Sequence, residues 1–424
     1  MKPFTLRELQ GIFLSYERKA FSVRSGKIKI KVSKTVQKRI LSGDPWVRFY
    51  QMKDRKVSGA AGDLGVVYDS ANKFLAIGLF DPYSDIRLRI LQTRKPVIID
   101  RDFFMERLHS AAVLREGLEG GATTGYRLVN GENDALPGLV VDRYAETQIV
   151  KVYTSAWLPH LPILMALLTE EFGAQRLVLR LSRHVQKVDA GGYRDGQVLA
   201  GAPLAGPVEF LENGLRFTAD VLAGQKTGFF LDQRDNRQEV RQRASGKTVL
   251  NVFSYSGGFS VYALAGECES VTELEISRPA LDGARANAVL NFGKEVASSG
   301  RFSQIQGDAF EVLERLHTEG KTFDLVILDP PAFAKSKKDK PNALRAYQRL
   351  VQLGARVTSK YGILFAASCS APVEADEFYR AVEQGLKSAG RTARSQIKTG
   401  HAPDHPVTFR EGAYLKGVFL ELSA

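Results

Sequence analysis

The sequence predicts an α/β fold in three parts: a small β-barrel first, a central α+β subdomain, and a C-terminal doubly wound, mostly parallel sheet. Three observations carry this prediction. Apolar strand-sized runs alternate with helix-sized runs from Lys247 to Ala367, the pattern of successive strand–helix–strand units. Between Lys27 and Leu91 the strands are short, closely spaced and separated by turn residues, with one helix among them. The length of 424 residues corresponds to three domains at roughly 150 residues each.

Composition narrows the class. Hydrophobic residues at 44% and charged residues at 25% are ordinary for globular chains and exclude a disordered, collagen-like or low-complexity protein. The longest apolar stretches, such as Leu161 to Leu168, fall short of the roughly 18–20 residues of a membrane span. The first residues, MKPFTLRELQG, lack an apolar signal core with a cleavage site. Two cysteines, Cys268 and Cys369, cannot build a disulfide framework, which predicts a reducing, cytoplasmic setting. The net charge of +12 is unevenly spread: residues 1–100 hold 20 Lys and Arg against 9 Asp and Glu, and the other 324 hold 39 against 38. A basic module on a neutral body reads as a docking surface for a polyanion, or as a solvated face that aids solubility. The basic residues alternate along strands rather than lining one amphipathic helix, which argues against a membrane surface.

Taken in order, Thr5 and Glu8 have capping-box spacing and predict a short helix near residue 5. Ile28, Ile30 and Val32 then alternate with lysines, as in a half-buried strand. A helix over Thr35–Leu41 ends at Gly43-Asp44-Pro45, and strands follow at Gly65–Tyr68, Phe74–Leu79 and Ile86–Leu91. The pieces Gly62–Val67, Phe74–Gly78 and Ser84–Arg89 resemble the PUA domain, which implies an RNA-binding module over residues 25–100, with residues 1–24 an extension of open role. Residues 101–205 predict helices at Arg101–Glu116 and Pro162–Glu171 and strands at Gln148–Tyr153 and Arg176–Leu181, without catalytic spacing. The Gly-, Ala- and Pro-rich stretch Gly191–Pro207 reads as a linker or an excursion before the last domain.

From residue 206 the chemistry gathers. The strand Lys247–Phe253 turns into a helix through Ser254–Ser260; further strands end at Glu275, before Asp308, at Asp329 and at Ser368-Cys369-Ser370. In a doubly wound sheet these ends face the ligand crevice. Gly257-Gly258 is neither a dinucleotide fingerprint nor a P-loop, and lets a bulky, weakly charged ligand approach the backbone. Glu275 can accept both ribose hydroxyls, and Asp308 can bind an exocyclic amine. Each acid alone reads equally as a cap or a solvated turn; together they point to S-adenosylmethionine. Six scattered histidines give no metal-ligand spacing. His405, in Asp404-His405-Pro406, reads as a turn residue before a base.

The whole chain resembles the RlmI-like family of PUA-domain ribosomal RNA large-subunit methyltransferases. The resemblance rests on Asn130-Gly131-Glu132 with Leu136–Leu139, Gly224–Arg237, Asn251–Gly258, Leu328–Phe333, Ser368–Ser370, and Asp404–Pro406 with Tyr414–Gly417. It implies a Rossmann-like class I methyltransferase domain over residues 206–424, formation of 5-methylcytosine in large-subunit ribosomal RNA, and a cofactor site lined by Phe253, Tyr255, Gly257, Gly258, Glu275, Asp308 and Asp329. Gln225 and Arg234 hold the cofactor's carboxylate or tie the linker down. Carbon 5 of cytosine needs a thiolate added at carbon 6 to become nucleophilic, and a group that assists at N3. Cys369 is the expected nucleophile and Asp329 its partner, while Cys268 is structural. The position after Asp-Pro-Pro, a cysteine in some related enzymes, is Ala332 here. Asp329–Phe333 also resembles the motif of amino-methyltransferases, so it does not choose the chemistry alone. Pro330, Pro331 and Phe333 would meet the base, and Lys335 in a basic loop would clamp phosphate or simply be solvated. Ribosomal RNA is the expected partner, with no membrane and no metal; the sequence leaves a homodimer open. The rival readings are methylation of guanine and a non-catalytic RNA-binding assembly factor.

Overall fold

The computed structural model describes residues 26–69, 71–118, 121–188 and 190–424; the helix expected near Thr5 lies outside them. The chain forms two compact bodies. The first holds the described residues from 26 to 211 together with 219–229 and 403–409, and the second holds 212–218, 230–402 and 410–424.

The first body opens with strands β1 (Lys27–Lys31), β2 (Trp46–Arg48), β3 (Leu64–Tyr68), β4 (Phe74–Phe80) and β5 (Ile86–Thr93), and helix α1 (Lys34–Leu41). The sheet order is β1-β3-β4-β5-β2. Alternation in β1 buries Ile28 and Ile30 and turns Lys27, Lys29 and Lys31 to solvent. Ser33 caps α1 by accepting from Val36 N. β2, only three residues long, is too short to show a period.

Helix α2 (Arg101–Val113) leads into β6 (Gly125–Asn130), β7 (Leu139–Tyr144) and β8 (Thr147–Val152), then α3 (Leu161–Glu170), β9 (Arg176–Leu181) and β10 (Gln197–Ala200). These strands form a second sheet in the order β10-β9-β8-β7-β6. The stretch expected as a linker thus contributes a strand: Gln197 and Val198 pair antiparallel with Leu179 and Val178. Four residues among glycines and prolines are too few to outweigh a linker-like composition. Leu79 and Leu91 of the first sheet share one core with Phe104, Val129 and Trp157, so the two sheets are fused. The buried Asp81 carboxylate accepts from the hydroxyls of Thr154 and Ser155 across that junction.

The segment 403–409 is tied to the same body by a buried guanidinium. Arg115 donates to both carboxylate oxygens of Asp134 at 3.0 and 2.7 Å and to the carbonyls of Ala111 and Asp404 at 2.8 Å. The Asp404 side chain accepts from Arg127 N at 2.9 Å.

Hairpin strands β11 (Val208–Glu212) and β12 (Leu215–Ala219) and helix α4 (Arg234–Arg243) precede the second large sheet. That sheet comprises β13 (Thr248–Val252), β14 (Ser270–Glu275), β15 (Phe302–Gln306), β16 (Phe323–Leu328), β17 (Thr358–Ser368), β18 (Ala393–Thr399) and β19 (Lys416–Leu422). Its order is β15-β14-β13-β16-β17-β19-β18. The first five strands run parallel, and β19 lies antiparallel between β17 and β18. Helices α5 (Gly258–Ala265), α6 (Arg278–Phe292), α7 (Ala309–Thr318), α8 (Lys340–Arg356) and α9 (Ala375–Ser388) connect them. Successive residues of each strand feed opposite layers: Leu250, Val326 and Leu364 pack with Leu313, Tyr347 and Phe378, whereas Val249, Leu325 and Phe365 pack with Val240, Phe259 and Ala288. This is the expected doubly wound sheet, and strand order reverses beside β13, where ligands bind.

Replacing Arg115 by Ala orphans the buried Asp134 and the carbonyls of Ala111, Asp404 and Arg127, the last bonded by Nε at 3.0 Å. The variant is expected to lose about 3–5 kcal/mol of stability in urea unfolding; a loss under 1 kcal/mol would remove this anchor from the account.

Candidate active site

At the end of β13 the backbone turns through an unusual path. Phe253 N and Ser254 N still donate to Leu274 O of β14, at 2.8 and 3.3 Å. Phe253, Tyr255 and Gly257 then take φ values of 61°, 48° and 75°. Two non-glycine residues in the left-handed region within three positions are costly and need external support. Glu275 supplies it: its Oε2 accepts from Tyr255 N at 3.1 Å and its Oε1 from Ser277 N at 3.0 Å. At Gly257 a Cβ would lie 2.6 Å from Glu273 Oε1 and 2.8 Å from Ala284 Cβ, so both conformation and space demand glycine. Burial beneath this turn pushes the Glu273 carboxyl up to about 8, so it is neutral at pH 7.

Asp308 caps α7, its Oδ1 accepting from Phe310 N and Glu311 N at 2.9 and 3.2 Å. The exposed carboxylate keeps Oδ2 for another donor, so cap and ligand roles share one residue. Asp329 leaves β16 and accepts from Gln233 Nε2 at 2.8 Å. On the neighbouring strand, Leu328 pairs with Ala366 of β17, so Asp329 and Cys369 leave adjacent strands at one end of the sheet. Cys369 Sγ lies 3.9 Å from Pro330 O. The thiol is half-buried, and the serines on either side of it are fully buried. Ser368 and Ser370 both bond to the Tyr347 hydroxyl, at 2.9 and 2.8 Å, and Ala334 N donates to Ser370 Oγ at 3.1 Å. The chain is therefore pinned on both sides of the sulfur.

Phe333 packs against Tyr347 with ring centroids 4.8 Å apart, which makes it part of the wall. Pro330 is buried, whereas Pro331 and Lys335 are exposed. The Ser336 hydroxyl and the backbone N–H groups of Ser336 and Lys335 donate to Asp339, which orders the basic loop and holds the Asp339 carboxyl below its usual range. Arg234 is buried at the start of α4, beside Gln233. Gln225 is exposed and belongs to the first body, so the second body does not itself gather it with the other expected residues. His405 is buried in the first body with Nδ1 3.1 Å from Asp404 Oδ1. Burial pushes the Cys268 thiol up to about 11, as suits an inert cysteine. Four residues escaped the sequence reading: Gln233, Tyr347, Ser370 and Lys416. Gln233 and Lys416 lie within stretches that carry the resemblance, but only their contacts give them roles. Among the described residues no group of three or more His, Cys, Asp or Glu could hold a metal ion, and no helix is long and apolar enough to cross a membrane.

Comparison with known proteins decides the family. Residues 174–384 match the S-adenosylmethionine-dependent methyltransferase family, and residues 30–93 match the PUA-like domain. A ribosomal RNA large subunit methyltransferase of Deinococcus radiodurans is 44% identical over 402 residues, covering 93% of this chain and 98% of its own. Ribosomal RNA large subunit methyltransferase I of Aeromonas salmonicida is 35% identical over 385 residues, covering 90% and 96%. The chain belongs to the ribosomal RNA large subunit methyltransferase I family. Its fold is that of a Streptococcus mutans chain assigned as an S-adenosylmethionine-dependent methyltransferase, with a TM-score of 0.77 at 22% identity, covering 93% of this chain and 100% of that one. A second structure, solved with S-adenosylhomocysteine, gives 0.76 at 20% identity, covering 93% and 99%.

The family's cofactor is S-adenosylmethionine, and the turn at β13 fits it. Ser254 Oγ is buried there without a hydrogen-bond partner, and Gly257 leaves room for close approach to the backbone. Glu275 and Asp308 supply carboxylate acceptors at successive strand ends, as a nucleoside without phosphates requires. Gly257→Ala is expected to raise the S-adenosylmethionine dissociation constant about tenfold in isothermal titration while the far-UV spectrum is kept. A second expectation concerns Glu273. Its carboxyl titrates at about 8 when folded against 4.5 ordinarily, so the native state holds the extra proton between those values and stability falls as pH rises through them. Urea unfolding of Glu273→Gln should show a flatter pH slope than the wild type; an identical slope would exclude Glu273 as its source.

Proposed function

We propose that the protein forms 5-methylcytosine in large-subunit ribosomal RNA with Cys369 as covalent nucleophile. The observation that carries this reading is the half-buried Cys369 thiol 3.9 Å from the Pro330 carbonyl, beside Asp329 on the adjacent strand. S-adenosylmethionine supplies an electrophilic methyl group. Cys369 attacks carbon 6 of a cytosine taken out of its stack, forming an S–C bond and breaking the 5,6 double bond. Asp329 assists at N3, so that electron density collects on carbon 5, which takes the methyl group. S-adenosylhomocysteine is the leaving group of that transfer, and loss of the carbon-5 proton to water restores the double bond and expels the thiolate. The half-buried ring of Phe333 and the Pro330–Pro331 turn form the wall for the base, and exposed Lys335 lies where it can meet phosphate.

RNA docking falls to the basic face of the first sheet. Lys27, Lys29 and Lys31 project to solvent, and Arg87 and Arg48 lie over the rings of Phe49 and Trp46 at 4.8 and 5.2 Å. This reading implies a protein of the cytoplasm, where ribosomal RNA is made and processed. The homodimer reading is supported by outer strand β18, exposed from Ala393 to Lys398; a monomeric mass by light scattering at micromolar concentration would remove it.

The deciding measurement is a nucleoside map of precursor ribosomal RNA incubated with enzyme and labelled S-adenosylmethionine. Label on 5-methylcytosine is expected; label on guanosine, or none, would sink the reading. Cys369→Ala should lower turnover by at least about a thousandfold, since the covalent route is lost. It should also abolish the covalent adduct on 5-azacytidine-substituted RNA. RNA affinity, measured separately, should fall steeply between 50 and 200 mM salt, by roughly 10³ or more if six phosphates are held.

A further inference from the structure

We propose that Lys416 is a positioning residue for Cys369, fixing the turn that carries the thiol and favouring its thiolate form. The inference rests on the reading of Cys369 as nucleophile. Lys416 opens β19, and its Cα pairs with Ser368, the residue before Cys369. The side chain is buried, and Nζ donates to the carbonyls of Ser370, Val373 and Tyr414 at 2.8, 2.9 and 2.8 Å. All three ammonium protons are thus used, two of them on the turn that follows Cys369.

The arrangement is unusual in its charge. Those acceptors are neutral, and among the described residues Lys416 makes no ion pair with a carboxylate. Glu374 contributes to its field but is bound to Arg410 at 2.8 Å. A buried ammonium without a counter-ion is costly, and burial lowers Lys416 to about 8 while negative charge on Cys369 opposes that shift. Tyr347, kept neutral by burial, bonds to the serines on both sides of the sulfur, and Asp329 at the end of the adjacent strand accepts from Gln233. The thiolate is therefore the counter-charge that the ammonium lacks. A lysine with a merely structural task would hold the three carbonyls and leave the sulfur's titration unchanged.

The test is the pH profile of Cys369 alkylation by iodoacetamide on the full chain, without RNA or cofactor, read by peptide mass spectrometry. The wild-type midpoint is expected about one unit or more below the ordinary thiol value of about 8.5, and Lys416→Met should raise it by at least about one unit. Lys416→Arg, which keeps the charge, should lie closer to the wild type than Lys416→Met. Equal midpoints for the wild type and Lys416→Met would overturn the proposal. So would a wild-type midpoint at or above 8.5, which decides the matter even if Lys416→Met fails to fold. Methylation by Cys369→Ser separates the two readings. Full activity there removes the nucleophile and leaves any measured coupling standing, whereas no activity with an unshifted midpoint removes Lys416 alone.

Discussion

The site depends on the register of β17 with its two neighbours. Parallel pairing with β16, Leu328 opposite Ala366, brings Asp329 and Cys369 off the same end of two adjacent strands, one residue past Leu328 and three past Ala366. Antiparallel pairing with β19 places Lys416 opposite Ser368. Because side chains alternate across a strand, a slip of one residue would turn the set on each strand to the opposite layer. The alternation that sends Leu364 and Phe365 to different cores fixes that register through burial on both faces. Packing far from the chemistry thus sets the geometry at its centre.

The neighbouring strand end uses a different device. The turn after β13 places non-glycine residues where backbone is strained, and such strain persists only when its surroundings over-determine it. Glu275 binds Tyr255 N in that turn and Ser277 N at the N-cap of α6, while it is also the candidate for the ribose hydroxyls. One carboxylate therefore couples the shape of the turn to recognition of the nucleoside. The neutral Glu273 beneath fills the space against Gly257 without placing a second negative charge beside Glu275.

How much of this was legible in the sequence varies by physical cause. Parallel strands buried on both faces read as apolar runs, so β13, β16 and β17 stood out, with Asp329 and Cys369 at their ends. Strand β18, Ala393-Arg394-Ser395-Gln396-Ile397-Lys398-Thr399, carries no alternation because its first six residues are exposed. Strand β2 and the strand inside the glycine-rich stretch are too short for a period, and the tertiary pairing that defines them is invisible in a local window. Lys416 illustrates the sharper limit. A lysine at the start of a strand reads as surface charge; only the three carbonyls that converge on it reveal a buried cation.

The presence of Ala332 after Asp-Pro-Pro gives that cation its meaning. On the proposed covalent route, the sulfur that attacks carbon 6 must also leave it. Attack requires a populated thiolate, while a thiolate that is too stable is a poor nucleophile, so the useful window lies near ambient pH. A strong, solvent-like positive charge would push the thiol far below that window, and a purely apolar pocket would push it above, as burial does to Cys268. A lysine whose own titration is drawn down to about 8 offers an intermediate field, and its three carbonyl bonds hold that field at a fixed place. The pinned serines on either side of Cys369 then keep the sulfur in that field through both steps. On the proposed route, the strand beside Cys369 carries the charge that keeps its sulfur within the window where it serves as both nucleophile and leaving group.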